Sequence, residues 1–248
     1  MTVVKTDAEV AMMRKAGRIV ATVLMRLKNE IKPGIKTEKL DRIAAEELRK
    51  LKAKPSFKGY RGYPATLCVS INDEIVHGIP GNRTLKEGDI VSLDFGAYVD
   101  GFHGDAAITV GVGGISQKAQ ELLNVTEDAL MAGIKCARDG VRLGDVSAEI
   151  QGYVEGKGFS VIREYCGHGI GRDLHEDPLV PNFGIRGEGI MLLKGMTLAI
   201  EPMVTNGDWH TRIDDNKWTV RTADNSLSAH FEHTIAVGNA EPEILTVL

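Results

Sequence analysis

The chain has 248 residues, 43% of them hydrophobic and 26% charged, and a net charge of −4 at pH 7. One large domain or two small ones fit that length around a sizeable core, so no oligomer is required for stability, and the mild acidity gives no reason to expect nucleic acid as the main ligand. No apolar run approaches the ~18 residues of a membrane helix, and the first residues lack the basic and apolar regions of a secretory leader.

The first predicted element is a helix over residues 6–31, in which Thr6 and Glu9 form a capping box and Val10, Met13, Val20, Leu24 and Leu27 recur at helical spacing. A second helix is expected over 37–52. The basic run from Arg49 to Arg61 that overlaps its end reads as a solvated helix end and loop rather than an RNA contact. Strand patterns follow at 65–71, 89–99 and 102–112, helices at 116–136 and 145–156, and strands again at 160–165, 196–204, 218–222 and 230–237. The scattered cysteines Cys68, Cys136 and Cys166 are too few for a disulfide framework or a zinc ribbon, and point to a reducing, cytoplasmic setting.

An internal repeat organises these elements. Residues 88–94 (GDIVSLD) match 195–201 (GMTLAIE), each a glycine, an apolar strand and an acid. Residues 103–110 (HGDAAITV) match 230–237 (HFEHTIAV), and upstream His77-x-x-Pro80 matches His175-x-x-Pro178. Three matches in the same order imply an α+β fold of two related halves, about 1–112 and 113–248 of a single domain, each with paired helices and antiparallel sheet. A pseudo-twofold axis between the halves then brings Asp94, Asp105, Glu201 and Glu232 together.

Turn chemistry fixes the geometry of the first half. Asp100-Gly101 is the favoured dipeptide of a two-residue type I′ hairpin, so Val99 should pair with Phe102 and Gly96 with Asp105. Asp94 then becomes the diagonal neighbour of Asp105, with β-carbons about 7 Å apart or less, and Gly96 leaves room between them. Carboxylates set into apolar strands cost several kcal/mol unless they are paired or bind a cation. One hairpin alone leaves a proton-sharing pair open, but four converging acids favour divalent cations. Acids with one or two imidazoles suit Mn, Fe, Co or Zn, and bridging acids commonly hold two such ions about 3.5–4 Å apart.

Histidines cluster in residues 166–178 (CGHGIGRDLHEDP). The glycines between His168 and His175 argue against a helix, and in extended chain their odd spacing turns them to opposite faces. One can then be a ligand and the other a donor to substrate.

With SINDEIVHGIP (70–80), DFGAYVDGFHGD (94–105), GHGIGRDLHEDP (167–178), EPM (201–203) and SAHFEHTI (228–235), the chain resembles the type I methionine aminopeptidases, whose fold is nicknamed pita-bread. The resemblance covers essentially the whole chain. It implies two divalent metal ions, with Co, Mn, Fe, Zn and Ni as candidates, bridged by Asp105 and Glu232; Asp94 completes one site, and His168 with Glu201 the other. A bridging water or hydroxide then attacks the scissile carbonyl while Glu201 shuttles its proton, His175 binds the carbonyl oxygen and His77 contacts the scissile amide or the next residue. His103 and His230 match no ligand position and read as supporting or structural.

The same resemblance implies a methionine pocket of Tyr60, Tyr63, Cys68 and Trp218. Phe57, Arg61 and Leu174 stand where well-known bacterial members have other residues. The implied function is removal of N-terminal methionine from peptides and nascent proteins with a small second residue. A monomer acting near the ribosome, without a specific nucleic-acid or membrane partner, is the accompanying expectation.

Two other readings stay open. His103-x-Asp105 with a later histidine imitates the facial triad of a non-haem iron oxygenase, which leaves Asp94, Glu201 and Glu232 without a role. A binding protein of the same fold without catalysis is the third, weighed against by the filled ligand positions.

Overall fold

A computed structural model describes residues 3–248. Helix α1 (Asp7–Lys28) opens on the expected capping box: Thr6 Oγ1 accepts from Glu9 N, and Glu9 Oε2 accepts from Thr6 N. Helix α2 (Thr37–Lys50) ends earlier than expected, because Lys52 takes φ 55°, outside the helical region. Strands β1 (Lys54–Pro55), β2 (Cys68–Ile71) and β3 (Glu74–Val76) lead into a long hairpin, β4 (Ile90–Val99) and β5 (Phe102–Gly111). Helix α3 (Gln117–Cys136) is capped by Ser116. Helix α4 (Leu143–Glu155) starts before the expected Asp145, which is not its first residue but the acid that accepts from Arg142 N.

The second half is cut more finely. It contains β6 (Ser160–Val161), β7 (Cys166–Gly169), β8 (Glu176–Pro181), β9 (Thr197–Ile200) and β10 (Met203–Thr205). Next come β11 (Thr211–Ile213), β12 (Val220–Thr222), β13 (Ser228–His230), β14 (Glu232–Ala236) and β15 (Glu243–Ile244). The expected 196–204 strand breaks at Pro202, which has no N–H for a ladder, into β9 and β10. The expected 230–237 strand breaks at Phe231, and its pieces join different sheets. Strand 218–222 loses its start because the Asn216 side chain holds the N–H groups of Trp218 and Thr219 in a turn. Strand 65–71 begins only at Cys68, since the Asp41 carboxylate takes the N–H groups of Thr66 and Leu67. Of the run 160–165 only β6 is strand.

The main sheet runs β1-β4-β5-β14-β9-β7-β8, with β2 also on β4 and β15 also on β14, and all its pairings are antiparallel. Smaller sheets follow the orders β13-β10-β6 and β11-β12-β3. Alternation sends Leu93 and Phe95 into a core shared with α1 and α2, and Leu198, Ile200 and Ile235 into a core shared with α3 and α4. The opposite sheet face is left to Asp94, Ala199, Glu201 and Glu232.

The hairpin has the register that its turn predicts. Val99 pairs with Phe102 and Gly96 with Asp105, across Asp100 at φ 52° and Gly101 at φ 89°. The halves join between β5 and β14, where Glu232 pairs with Ala107 and Thr234 Oγ1 both accepts from Asp105 N at 3.0 Å and donates to Asp105 O at 2.8 Å. In the sequence repeat Asp105 corresponds to Glu232 and Ala107 to Thr234. These two contacts therefore exchange under a twofold axis, as related halves require.

Thr234 is fully buried. Thr234→Val keeps its shape but leaves the Asp105 N–H and C=O without partners, so chemical denaturation should show a loss of about 2 kcal/mol. An unchanged unfolding midpoint would show that this seam contributes nothing to stability.

Candidate metal centre

All five residues expected as metal ligands line one cavity: Asp94 from β4, Asp105 from β5, His168 from β7, Glu201 just after β9, and Glu232 at the start of β14. Asp105, His168 and Glu232 are each exposed by 4% or less. Oxygens Asp94 Oδ1, Asp105 Oδ1 and Glu232 Oε1 are buried without a hydrogen-bond partner. Such orphans are costly in a protein interior and call for a missing partner. Donor atoms of Asp105, His168 and Glu232 lie within 4.8 Å of one another, and so do those of Glu201, His230 and Glu232.

Electrostatics point the same way. Burial, with repulsion from the neighbouring acids, raises the carboxyls of Asp105 and Glu232 well above the ordinary range. Burial lifts those of Asp94 and Glu201 to about 7. Oxygens that hold protons so tightly for want of a counter-charge are the donors a divalent cation uses. His168 suits the same role: its Nδ1 donates to the Gly169 carbonyl at 2.8 Å, which turns Nε2 toward the acids, 3.6 Å from Glu201 Oε1. The residues present therefore fit a divalent metal centre.

His175 is not where extended chain would put it. Strands β7 and β8 fold back on each other as antiparallel neighbours, and the rings of His168 and His175 meet on one side with centroids 4.1 Å apart. The expected opposite faces fail because the chain reverses between the two residues. His175 Nδ1 is 2.8 Å from the Tyr60 hydroxyl, and the two rings stack at 5.1 Å. Burial, then the neighbouring His168 and Arg61, depresses the His175 pKa to about 3, while burial and His230 bring that of His77 to about 4. Both rings are thus neutral at pH 7. His77 also carries φ 61°, an uncommon backbone for a residue with a β-carbon.

Gly96 has a different use from the expected one. A β-carbon there would come within 2.8 Å of Phe57 Cε1 and of Ser56 Cβ, so the glycine admits Phe57 and Ser56 against the sheet rather than leaving a gap for an ion. Phe57 forms one wall of the cavity, whose volume is about 140 Å³, with Tyr60, Tyr63, Cys68, Leu174 and Trp218. The Tyr63 ring meets Trp218 edge-on at 5.1 Å, and its hydroxyl is held by the Gly78 carbonyl at 2.9 Å. Burial pushes the Cys68 thiol up, so it stays a neutral apolar wall.

His103 and His230 part company. His103 Nδ1 bonds to Ser56 Oγ at 2.8 Å and its ring lies against Tyr98, away from the donor groups, so the oxygenase-like triad does not form. His230 lies deep in the site, with Nε2 3.5 Å from Glu201 Oε2 and both ring nitrogens otherwise unpartnered. It was expected to be only supporting or structural. Its closeness to Glu201 was hidden because the chain breaks at Phe231, which defeats any strand-parity argument linking it to Glu232. Thr234 beneath Asp105, and Tyr165 edge-on to His77 at 6.1 Å, were missed as well. Thr234 had a legible signal, since it lies in strand phase with Glu232.

Comparison with known proteins agrees with this geometry. Residues 11–239 match metallopeptidase family M24. The chain is 52% identical, over the full length of both, to a protein of Clostridium perfringens named methionine aminopeptidase. It is also 52% identical, over 99% of each chain, to methionine aminopeptidase 1 of Bacillus subtilis. A crystal structure of methionine aminopeptidase from Thermotoga maritima superposes with a TM-score of 0.99 at 49% identity, covering all of both chains. With its antiparallel sheet, its two helix pairs and the acid cluster between them, the chain belongs to metallopeptidase family M24 and has that family's pita-bread fold.

Proposed function

We propose that this chain is a metal-dependent methionine aminopeptidase, one catalytic domain over residues 1–248, that removes N-terminal methionine from peptides and nascent proteins whose second residue is small. The observation that carries the reading is the set of buried, unpartnered carboxylate oxygens converging with His168 in a cavity with aromatic and aliphatic walls. Full-length similarity to methionine aminopeptidases supports it. Asp94, Asp105, His168, Glu201 and Glu232 would together hold two divalent ions, with Co, Mn, Fe, Zn and Ni as candidates. When bound, such ions supply Lewis acidity and lower the pKa of water.

The chain's own side chains do the rest. Glu201 directs one oxygen toward His168 and the other toward His230, at 3.6 and 3.5 Å, so its carboxylate stands at the centre of the site. There it takes a proton from the attacking water and returns it to the leaving amine. With Nδ1 accepting from the Tyr60 hydroxyl, the tautomer this role requires, His175 would keep Nε2–H to donate to the carbonyl oxygen as negative charge develops on it. His77, also neutral, contacts the scissile amide or the next residue from beside Trp218. The substrate's free amine faces the carboxylates.

The methionine side chain fills the pocket of Tyr60, Tyr63, Cys68 and Trp218, with Phe57 and Leu174 as further walls. The cavity that joins this pocket to the five metal-ligand positions holds about 140 Å³ in all, which favours a slender, unbranched thioether over a bulky side chain. Among the described residues no helix is long and apolar enough to cross a membrane. A monomer working in the cytoplasm on emerging N-termini, close to the ribosome, fits these features.

Division of labour between the two histidines is testable. His175→Ala should keep most of the metal affinity while turnover falls on the order of 10²-fold, the scale of losing one oxyanion donor. His168→Ala should instead weaken metal binding, measured by titration calorimetry. Equal metal loss in both variants would show that the roles are misassigned.

Substrate choice tests the function itself. On metal-loaded enzyme, kcat/KM should be high for Met-Ala peptides and low for Met-Leu, Leu-Ala and formyl-Met-Ala peptides, and a chelator should abolish all activity. Norleucine should replace methionine better than leucine does, because shape rather than one methylene, worth about 1–3 kcal/mol, separates them. Comparable rates on Leu-Ala and Met-Ala would indicate a broad aminopeptidase instead.

A further inference from the structure

The basic run from Arg49 to Arg61 carries more positive charge than the fold consumes. Lys50 pairs with Glu47 at 2.7 Å. Lys52, Lys54, Lys58 and Arg61 are exposed, and no ion pair among the described residues involves any of them. Of these, Arg61 lines the cavity that contains the four carboxylates.

Its placement costs backbone strain. Arg61 takes φ 48° between Gly59 at 87° and Gly62 at 90°, a left-handed turn in which glycine would sit more easily than any residue with a β-carbon. Its guanidinium carbon is 5.4 Å from the centroid of the Tyr60 ring, the same ring that stacks on His175 at 5.1 Å. Tyr60 thus ties the cation to the histidine proposed above to contact the scissile carbonyl. Four carboxylates loaded with two divalent ions are charge-balanced, so Arg61 is the net charge that an incoming peptide meets at the mouth.

We infer that Arg61 is a specificity-determining residue that binds a carboxylate carried by the substrate two residues beyond the scissile bond, so that peptides with an acidic residue there are preferred. The inference rests on the function proposed above and deepens it by naming a substrate class. An extended peptide advances about 3.3 Å per residue, which brings such a side chain from the carbonyl at His175 out past Tyr60. The guanidinium fork donates two parallel hydrogen bonds to a carboxylate, geometry that a lysine at this position would not offer.

The test compares Met-Ala-Xaa peptide amides, with Glu, Gln or Lys as Xaa, on the metal-loaded full chain. At low salt the Glu peptide should exceed the Gln peptide about three- to fivefold in kcat/KM, the scale of an exposed charged pair, with the difference in KM rather than kcat and the Lys peptide lowest. Salt at about 0.5 M should shrink the gap. Arg61→Gln should bring the Glu-to-Gln ratio to about one, and Arg61→Glu should invert it. Arg61→Gly, which relaxes the left-handed backbone, should also abolish the ratio while melting no earlier than the native chain, which separates lost recognition from lost folding. Equal rates for the three peptides on the native chain, or a preference that survives Arg61→Gln, would overturn the inference. Failure to release methionine from any of them would instead overturn the proposed function.

Discussion

Four carboxylates gathered on one face of one sheet, two of them buried and two nearly so, set the terms for the rest of the molecule. Ionised and unaccompanied, buried acids this close repel one another and lose their hydration, at a cost of several kcal/mol each. The raised pKa values of Asp94, Asp105, Glu201 and Glu232 are that cost expressed as proton affinity. A fold that places them together must be stabilised elsewhere. The opposite face of the same strands is packed with Leu93, Phe95, Leu198, Ile200 and Ile235 beneath two helix pairs. Period-two alternation therefore separates stability from chemistry along each strand, and Thr234 locks the seam at which the two central strands meet.

Much of this frame was legible because it rests on local rules. The capping box fixed the start of α1, Asp100-Gly101 fixed the hairpin register, and the repeated strand-plus-acid pattern placed the four carboxylates on common ground. What escaped was whatever depends on where the chain turns back without such a dipeptide. The reversal between His168 and His175 falls in a glycine-rich stretch, and strand parity put them on opposite faces when they are ring neighbours. The break at Phe231 likewise hid the approach of His230 to Glu201. Pocket residues such as Tyr60, Cys68 and Trp218 come from separate loops and strands with no shared periodicity, and only resemblance to a known family linked them.

Neutrality near the reacting groups follows from the same burial that strains the acids. His77 and His175 sit among apolar and aromatic walls and hold no proton beyond their neutral complement at pH 7. A neutral imidazole can donate to a developing oxyanion without competing with a cation for the carboxylates. In the proposed function the apolar pocket beside them would take an uncharged side chain, with the amine end of the substrate turned toward the acids. Charge at the opening is a separate matter, decided by Arg61.

The central claim, that these buried acids exist to hold cations, is tested most directly by counting protons. Metal-stripped protein titrated with Mn²⁺ at pH 7, in buffers of different ionisation enthalpy, should release about one proton or more per ion bound, because the ligands must give up what burial made them keep. Release should diminish as the pH is raised above the ligands' range, and Asp105→Asn with Glu232→Gln should remove tight binding altogether. Binding without proton release at pH 7, or undiminished binding by the double variant, would contradict the account.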